Sequence, residues 1–305
     1  MLEPLVLLPG MMCDARLFGP QIAELSSEGA VTIAPITQGE RIEEIASNLL
    51  DHLPQKFALA GLSMGGIVAM EILRRAPDRV SRIALMDTNP LAETPQSSAA
   101  YEPMIVGARA GRLENVLAGF MRPEYLAPGP QRADILALVQ DMGLYLGAET
   151  FIRQARALQR RRDQQSTLRK CQVPALVLCG EHDGLTPVKR HTFMAELIPN
   201  AQLEIIEAAG HLPTLENPAA TTATVAIVGA IAEAVFSIGR NRAQVLAFSA
   251  VAIQRSCTTT ATSAALRRLR RCLDACATAS ANGFGYHLAP AMPASGEANQ
   301  GTHIA

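Results

Sequence analysis

Residues 57–75 read FALAGLSMGGIVAMEILRR. The apolar run at 57–60 reads as a strand, and residues 66–75 are a strong helix former that stops before Pro77. Between them, Gly61-Leu62-Ser63-Met64-Gly65-Gly66 contains a GxSxG string. As a bare pattern it is weak, because at ~7% usage for Gly and Ser it arises by chance in roughly one chain in ten of this length. Its position gives it weight. A strand that turns sharply into a helix needs glycines where side chains would collide, and the turn lifts the serine hydroxyl above the sheet at the helix N-terminus. Ser63 is the candidate nucleophile; the plainer alternative is a serine serving as an ordinary N-cap.

Five more short apolar runs, at 5–8, 31–34, 83–86, 175–179 and 203–206, share the character of 57–60 and are bounded by Gly, Pro or Asp. Runs apolar at nearly every position are the mark of strands covered on both faces. Helical patterns alternate with them. Residues 41–53 align Ile42, Ile45, Leu49, Leu50 and Leu53 on one stripe, and Pro187 opens a helix running to 198. This alternation predicts an α/β fold with a parallel sheet and right-handed crossovers. The rhythm breaks once. Residues 89–170 hold no convincing strand and carry helix-like runs at 112–121 and 133–146, which is far too long for a loop. The expected organisation is a core of residues 1–88 and 171–238, a helical lid over 89–170, and a biased, flexible C-terminal extension over 239–305.

A serine hydroxyl is a poor nucleophile until a base removes its proton. His211, in Gly210-His211-Leu212-Pro213, falls directly after the last predicted strand, and Asp183 falls directly after the fifth. Ser63, Asp183 and His211 therefore all lie just past the C-terminal ends of parallel strands, where open α/β sheets build their sites. Asp87, at the end of the fourth strand, is the rival acid. Backbone N–H groups of Met11, in Leu8-Pro9-Gly10-Met11-Met12, and of Met64 are the candidate donors to an oxyanion. Cys13, beside that loop, reads as a wall residue and not a second nucleophile. His182 reads as a neighbour of the acid.

With these residues in hand, the chain resembles the α/β-hydrolase superfamily over about residues 4–236, and within it bacterial esterases, lactonases and carbon–carbon hydrolases that carry a GxSMGG elbow and a lid. The resemblance implies a six-stranded sheet in the order second, first, third, fourth, fifth, sixth, flanked by helices. It implies carboxylic ester hydrolysis through Ser63, His211 and Asp183, with enol-lactone or carbon–carbon cleavage as the alternative on the same scaffold. A non-catalytic ligand-binding member is a third reading, disfavoured because no triad residue is missing. No cofactor or metal is implied. Two features depart from the pattern: the oxyanion loop reads Pro9-Gly10 where His-Gly is frequent, and the two leading antiparallel strands have no counterpart.

Composition bounds the rest. The 305 residues are 49% hydrophobic and 18% charged, enough apolar material for a large core, and a net charge of −1 supplies no field for nucleic acid. Residues 237–305 carry seven Arg, no Lys and two acids, a charge of +5 against −6 for the first 236. The six cysteines lack the spacing of a zinc site or a redox CxxC. The apolar run at 5–8 is too short, and too poor in basic residues ahead of it, for a secretion signal, and no run reaches the ~18 apolar residues of a membrane span. The expectation is a cytoplasmic enzyme with reduced thiols, acting on a small ester or lactone with an apolar acyl or aryl group. Met104, Phe120, Met142 and Tyr145 are expected to face that group, and Arg160-Arg161-Arg162 to form a solvated helix face.

Overall fold

The computed structural model describes residues 3–226. Expectations for residues 239–305, including the basic extension with Cys257, Cys272 and Cys276, lie outside the described residues. Six strands form one wholly parallel sheet: β1 (Leu5–Leu8), β2 (Val31–Ile33), β3 (Phe57–Leu62), β4 (Val80–Met86), β5 (Ala175–Gly180) and β6 (Ala201–Ile206), in the order β2-β1-β3-β4-β5-β6. The sheet, its order and its parallel pairing are those expected from the sequence. The reversal of order at β1 and β3 opens the crevice in which such sheets bind ligands, and it puts the ends of β1 and β3 side by side, with Leu8 opposite Gly61.

Period-two alternation explains why the central strands are apolar throughout. Val6, Leu8, Phe57, Leu59, Ile83, Leu85 and Val177 enter the core on one face, while Leu7, Ala60, Leu62, Met86, Leu176 and Leu178 enter the core on the other. Burying each large side chain contributes about 1.5–3 kcal/mol. The expectation of burial on both faces fails at the margins. β2 is only half-buried, and β6 is half-buried or exposed up to Ile205, which lies at the surface, with Ile206 alone buried. Both are edge strands, so each has a neighbour on one side only.

Helices α1 (Gly19–Leu25), α2 (Ile42–Leu50) and α3 (Met64–Arg75) serve the first half of the sheet. Helix α3 is buried over most of its length, which fits an apolar sequence with only Glu71, Arg74 and Arg75 at its C-terminal end. Between β4 and β5 come α4 (Pro95–Ala99), α5 (Tyr101–Arg109), α6 (Leu113–Phe120), α7 (Arg132–Gln159) and α8 (Gln165–Arg169). The insertion is helical, as its sequence suggests, but α7 is longer than the periodicity indicated: it continues past a break at Gly147, whose φ is +81°. Glycine reaches that angle without steric cost. By length and composition α7 could cross a membrane; here its residues Phe151, Ile152, Ala155 and Ala157 are buried in the core. The chain closes through α9 (Val188–Leu197), β6 and α10 (Pro213–Glu216), with a further helix under way from residue 218.

The predicted solvated face at Arg160–Arg162 is corrected in part. The Arg161 side chain is 9% exposed and pairs with Glu93 at 2.9 Å, while Arg162 pairs with Glu43 at 2.6 Å. The residues after α7 are pulled into contact with the core, so only Arg160 and Arg162 retain open sides.

Candidate active site

Ser63 joins β3 to α3 in a single step. Its backbone stands at φ +54°, ψ −117°, a region that costs a non-glycine residue about 1–3 kcal/mol. Three contacts pin it there. Its N–H donates to the Met86 carbonyl at 2.9 Å, its own carbonyl accepts the Gly66 N–H at 3.0 Å, and the Thr88 hydroxyl donates to that carbonyl at 2.7 Å. The turn leaves no room for side chains: a Cβ on Gly61 would collide with the Gly65 carbonyl, and one on Gly65 with the Leu8 carbonyl. The geometry is that of a strained elbow and not of an N-cap, for the Ser63 side chain makes no capping bond.

Asp183 follows β5 and is saturated with donors. Its Oδ1 accepts the N–H groups of Leu185 and Thr186 at 2.7 and 2.8 Å. Its Oδ2 accepts the Thr186 hydroxyl at 2.5 Å and His211 Nδ1 at 2.9 Å. Burial opposes ionisation, but the adjacent His211 and these hydrogen bonds outweigh it and hold the carboxyl at about 2. An ionised carboxylate only accepts, so the proton on His211 sits at Nδ1 and the lone pair of Nε2 is left for the Ser63 Oγ, 3.0 Å away. His211 itself lies in the loop after β6, almost wholly buried, with its N–H donating to the Tyr125 carbonyl at 2.8 Å.

The rival acid, Asp87, stands at the end of β4 with φ +43°. It does not bond His211. Its Oδ1 accepts the Gly180 N–H at 2.9 Å and its Oδ2 has no partner. Complete burial, then the charge of Asp183, push its pKa well above the usual carboxylate range. The ligand atoms of Asp87, Asp183 and His211 all lie within 4.8 Å of one another. A cation there would have to displace the donors already filling Asp183.

The loop after β1 bends back over the elbow. The Cys13 N–H donates to the Gly10 carbonyl at 3.2 Å, and the Met12 N–H to the Gln154 side chain at 2.9 Å. That leaves the Met11 N–H without an acceptor among the described residues. The Met64 N–H is one of the first-turn donors that α3 cannot use internally. Next to this loop, a cavity of about 220 Å³ runs under the insertion, lined by Met11, Met12, Leu117, Phe120, Leu136 and Val139 among others.

Three sequence expectations about the surroundings, covering six residues, meet the structure here. Phe120 lines the cavity, whereas Met104 packs against the sheet core, Met142 is fully buried, and Tyr145 is 80% exposed beneath the Arg16 guanidinium. Helical periodicity told which residues were apolar but not which side of α7 faced inward. Cys13 is buried and its thiol is pushed up to about 12, mainly by desolvation, so it offers no thiolate. His182 is half-exposed beside Glu181, 3.7 Å away. Sequence reading missed Thr186 and Glu216. An Asp followed three residues later by Thr is a turn signature that flags the first. Glu216 accepts the N–H groups of Ala127, Gly210 and Leu212 at 2.6, 2.9 and 2.9 Å, a clip between the insertion and the His211 loop that no local pattern announces.

A family model described as the alpha/beta hydrolase family matches residues 5–225. The chain belongs to that family. Among curated relatives, pimeloyl-[acyl-carrier protein] methyl ester esterases of Vibrio parahaemolyticus and Chromobacterium violaceum are 24% and 26% identical. They cover 68% and 67% of this chain and 87% and 80% of their own lengths. Among solved structures, a thermophilic esterase from Thermogutta terrifontis matches with a TM-score of 0.67 at 26% identity over 73% of this chain and 88% of its own. An enol-lactonase from Burkholderia xenovorans shares the fold with a TM-score of 0.67 at 24% identity over 75% of this chain and 91% of its own. This α/β-hydrolase thus carries the fold anticipated from its elbow, and its Ser63, Asp183 and His211 lie at the strand ends where that fold gathers its chemistry.

Proposed function

We propose that the chain is a serine carboxylic ester hydrolase. The observation that carries the reading is the continuous hydrogen-bonded line from Asp183 through His211 to Ser63, at 2.9 and 3.0 Å, ending on a strained elbow. His211 Nε2 takes the Ser63 proton as Oγ attacks the ester carbonyl, and the Met11 and Met64 N–H groups receive the oxyanion. Collapse expels the alcohol, which takes the proton back from His211, and leaves an acyl group on Ser63. Water, deprotonated by His211, then releases the acid. Asp183 holds the imidazole in the required tautomer and stabilises its charged form throughout. No step calls for a metal or cofactor.

The apolar cavity beside Met11 suits an apolar acyl group, and the esterase relatives supply the reaction type. The three described cysteines are free and buried, in keeping with a reducing, cytoplasmic setting. The test is covalent labelling with a fluorophosphonate, peptide mapping of the adduct, and turnover of p-nitrophenyl and methyl esters beside a lactone and a vinylogous diketone. The expected result is a Ser63 adduct, preference for esters, and a loss of about 10⁴-fold or more in kcat on Ser63→Ala. An unlabelled Ser63, or a Ser63→Ala variant retaining more than roughly a tenth of the rate, would overturn the assignment; preference for the lactone or diketone would redirect it.

A further inference from the structure

Gln154 lies in the second part of α7 and is completely buried, and both hydrogen-bond partners of its side chain are far away in sequence. Its Oε1 accepts the Met12 N–H at 2.9 Å, and its Nε2 donates to the Ile36 carbonyl at 3.1 Å. Met12 is one of four non-glycine residues at positive φ among those described, with φ +56°. Met11 is not in that set, and the Cys13 N–H closes the turn onto the Gly10 carbonyl. A four-residue turn with positive φ at its third position alone is of type II, a class that favours glycine there. A methionine in that place pays a steric cost.

The type I alternative differs by a flip of the central peptide and suits most residues. The flip rotates the bonds on either side of the Met11–Met12 peptide. It would turn the Met12 N–H away from Gln154 and leave the amide carbonyl of a buried glutamine facing nothing. We propose that Gln154 is a positioning residue for the oxyanion loop: by holding the Met12 N–H and anchoring to Ile36, it fixes the Met11–Met12 peptide in the strained turn and so holds Met11, whose own N–H receives the oxyanion, in one place. The inference rests on the Ser63 reading above. It adds that a residue of the helical insertion, and not only the elbow, sets the geometry of the reaction.

Gln154→Leu keeps the volume and removes both hydrogen bonds, whereas Gln154→Glu keeps an oxygen for Met12. With p-nitrophenyl butyrate, Gln154→Leu is expected to lower kcat roughly 10- to 100-fold with KM within about threefold, since a displacement near 1 Å at an oxyanion donor acts on the transition state. Gln154→Glu is expected to keep at least about a third of the wild-type kcat. Met12→Gly accepts positive φ freely, so it should raise kcat in the Gln154→Leu background while lowering it in wild type, where it only removes packing. A Gln154→Leu variant with unchanged kcat, a loss confined to KM, or the same loss for Leu and Glu without rescue by Met12→Gly would overturn the proposal. If Gln154→Leu does not fold, the Glu variant and its Met12→Gly partner decide the matter alone. Absence of a Ser63 adduct in wild-type protein removes both readings; a normal adduct with unaltered Gln154→Leu turnover removes only this one.

Discussion

Asp87 and Asp183 bring two buried carboxyl groups within 4.8 Å of each other, yet only Asp183 bonds His211. Four donors hold the Asp183 carboxyl down at about 2, while Asp87 has a single N–H and an unpartnered oxygen, so burial and its neighbour's charge push it the other way, well above the usual carboxylate range.

That division ranks two substitutions. Asp183→Asn should cost about 10³- to 10⁴-fold in kcat, because an amide imposes the wrong histidine tautomer, and Asp87→Asn should stay within about tenfold. Stability moves differently. The folded pKa of Asp87 is raised, so the stability tied to its proton is complete below the unfolded value near 3.8 and is lost as pH climbs through the folded value. Asp87→Asn removes that dependence, and its gain over wild type in urea midpoint should grow as pH rises from 4 towards neutrality. A gain that shrank over that interval would contradict the raised pKa of Asp87.

His191 predicts an acid weakness. Buried on α9, its Nε2 accepts the Thr88 N–H at 3.0 Å. Desolvation, partly offset by Asp183, depresses it from 6.5 to about 4. The stability linked to the neutral ring is full above about 6.5 and is lost as pH falls towards 4. Glu71 extends the loss lower: burial works against its charge, but Arg74, Arg75 and Gln164 overcome it and bring it from 4.5 to about 2. Between pH 7 and 4 the denaturant midpoint of His191→Gln, whose side-chain oxygen can still accept from Thr88, should gain on that of wild type as the pH falls, while the opposing contribution of Asp87 is common to both proteins. Parallel curves would refute the role of His191.

Glu216 predicts a coupled loss of stability and rate. Glu216→Ala strands three buried N–H groups at about 1–3 kcal/mol each before relaxation, and it loosens both Ala127 and the loop of His211. Thermal unfolding should drop by several degrees with kcat falling alongside; Glu216→Gln, which keeps one acceptor oxygen, should sit between Ala and wild type. Equal melting temperatures for all three proteins would remove the clip.

The cavity predicts chain-length selection. Val139→Phe adds a ring to the wall of a space of about 220 Å³. The ratio of kcat/KM for p-nitrophenyl octanoate over acetate should fall by about tenfold or more, as expected when each methylene bound in an apolar pocket is worth about 0.8 kcal/mol. An unaltered ratio would move the acyl group elsewhere.

What could be read from the sequence was local. The elbow is a strand, a glycine turn and a helix in consecutive residues, and the loops of Asp183 and His211 follow strands that announce themselves by unbroken apolar runs. Strand number came from the same source, whereas strand order came from the resemblance to the α/β-hydrolase superfamily. What escaped reading depends on residues far apart in the chain. Gln154 sits 142 positions from Met12, and Glu216 sits 89 from Ala127; each is an unremarkable polar residue until the fold delivers its partner. The half-exposed edges at β2 and β6, and the outward turn of Tyr145, likewise follow from packing partners that an alternation count does not contain.

The break at Gly147 divides the labour of the longest helix. Ahead of it, Leu136 and Val139 face the cavity; behind it, Phe151, Ile152 and Ala155 lie in the core and Gln154 holds the oxyanion loop. The leading half is not only a cavity wall: Ile135, Val139 and Met142 are buried in the core on their own side, and Met142 Sδ accepts the Asp14 N–H at 3.5 Å. Within this one helix, a change at Leu136 or Val139 meets the cavity directly, whereas a change at Gln154 meets the loop after β1, so a library that varies the first pair and keeps the third alters the walls while leaving that loop its anchor.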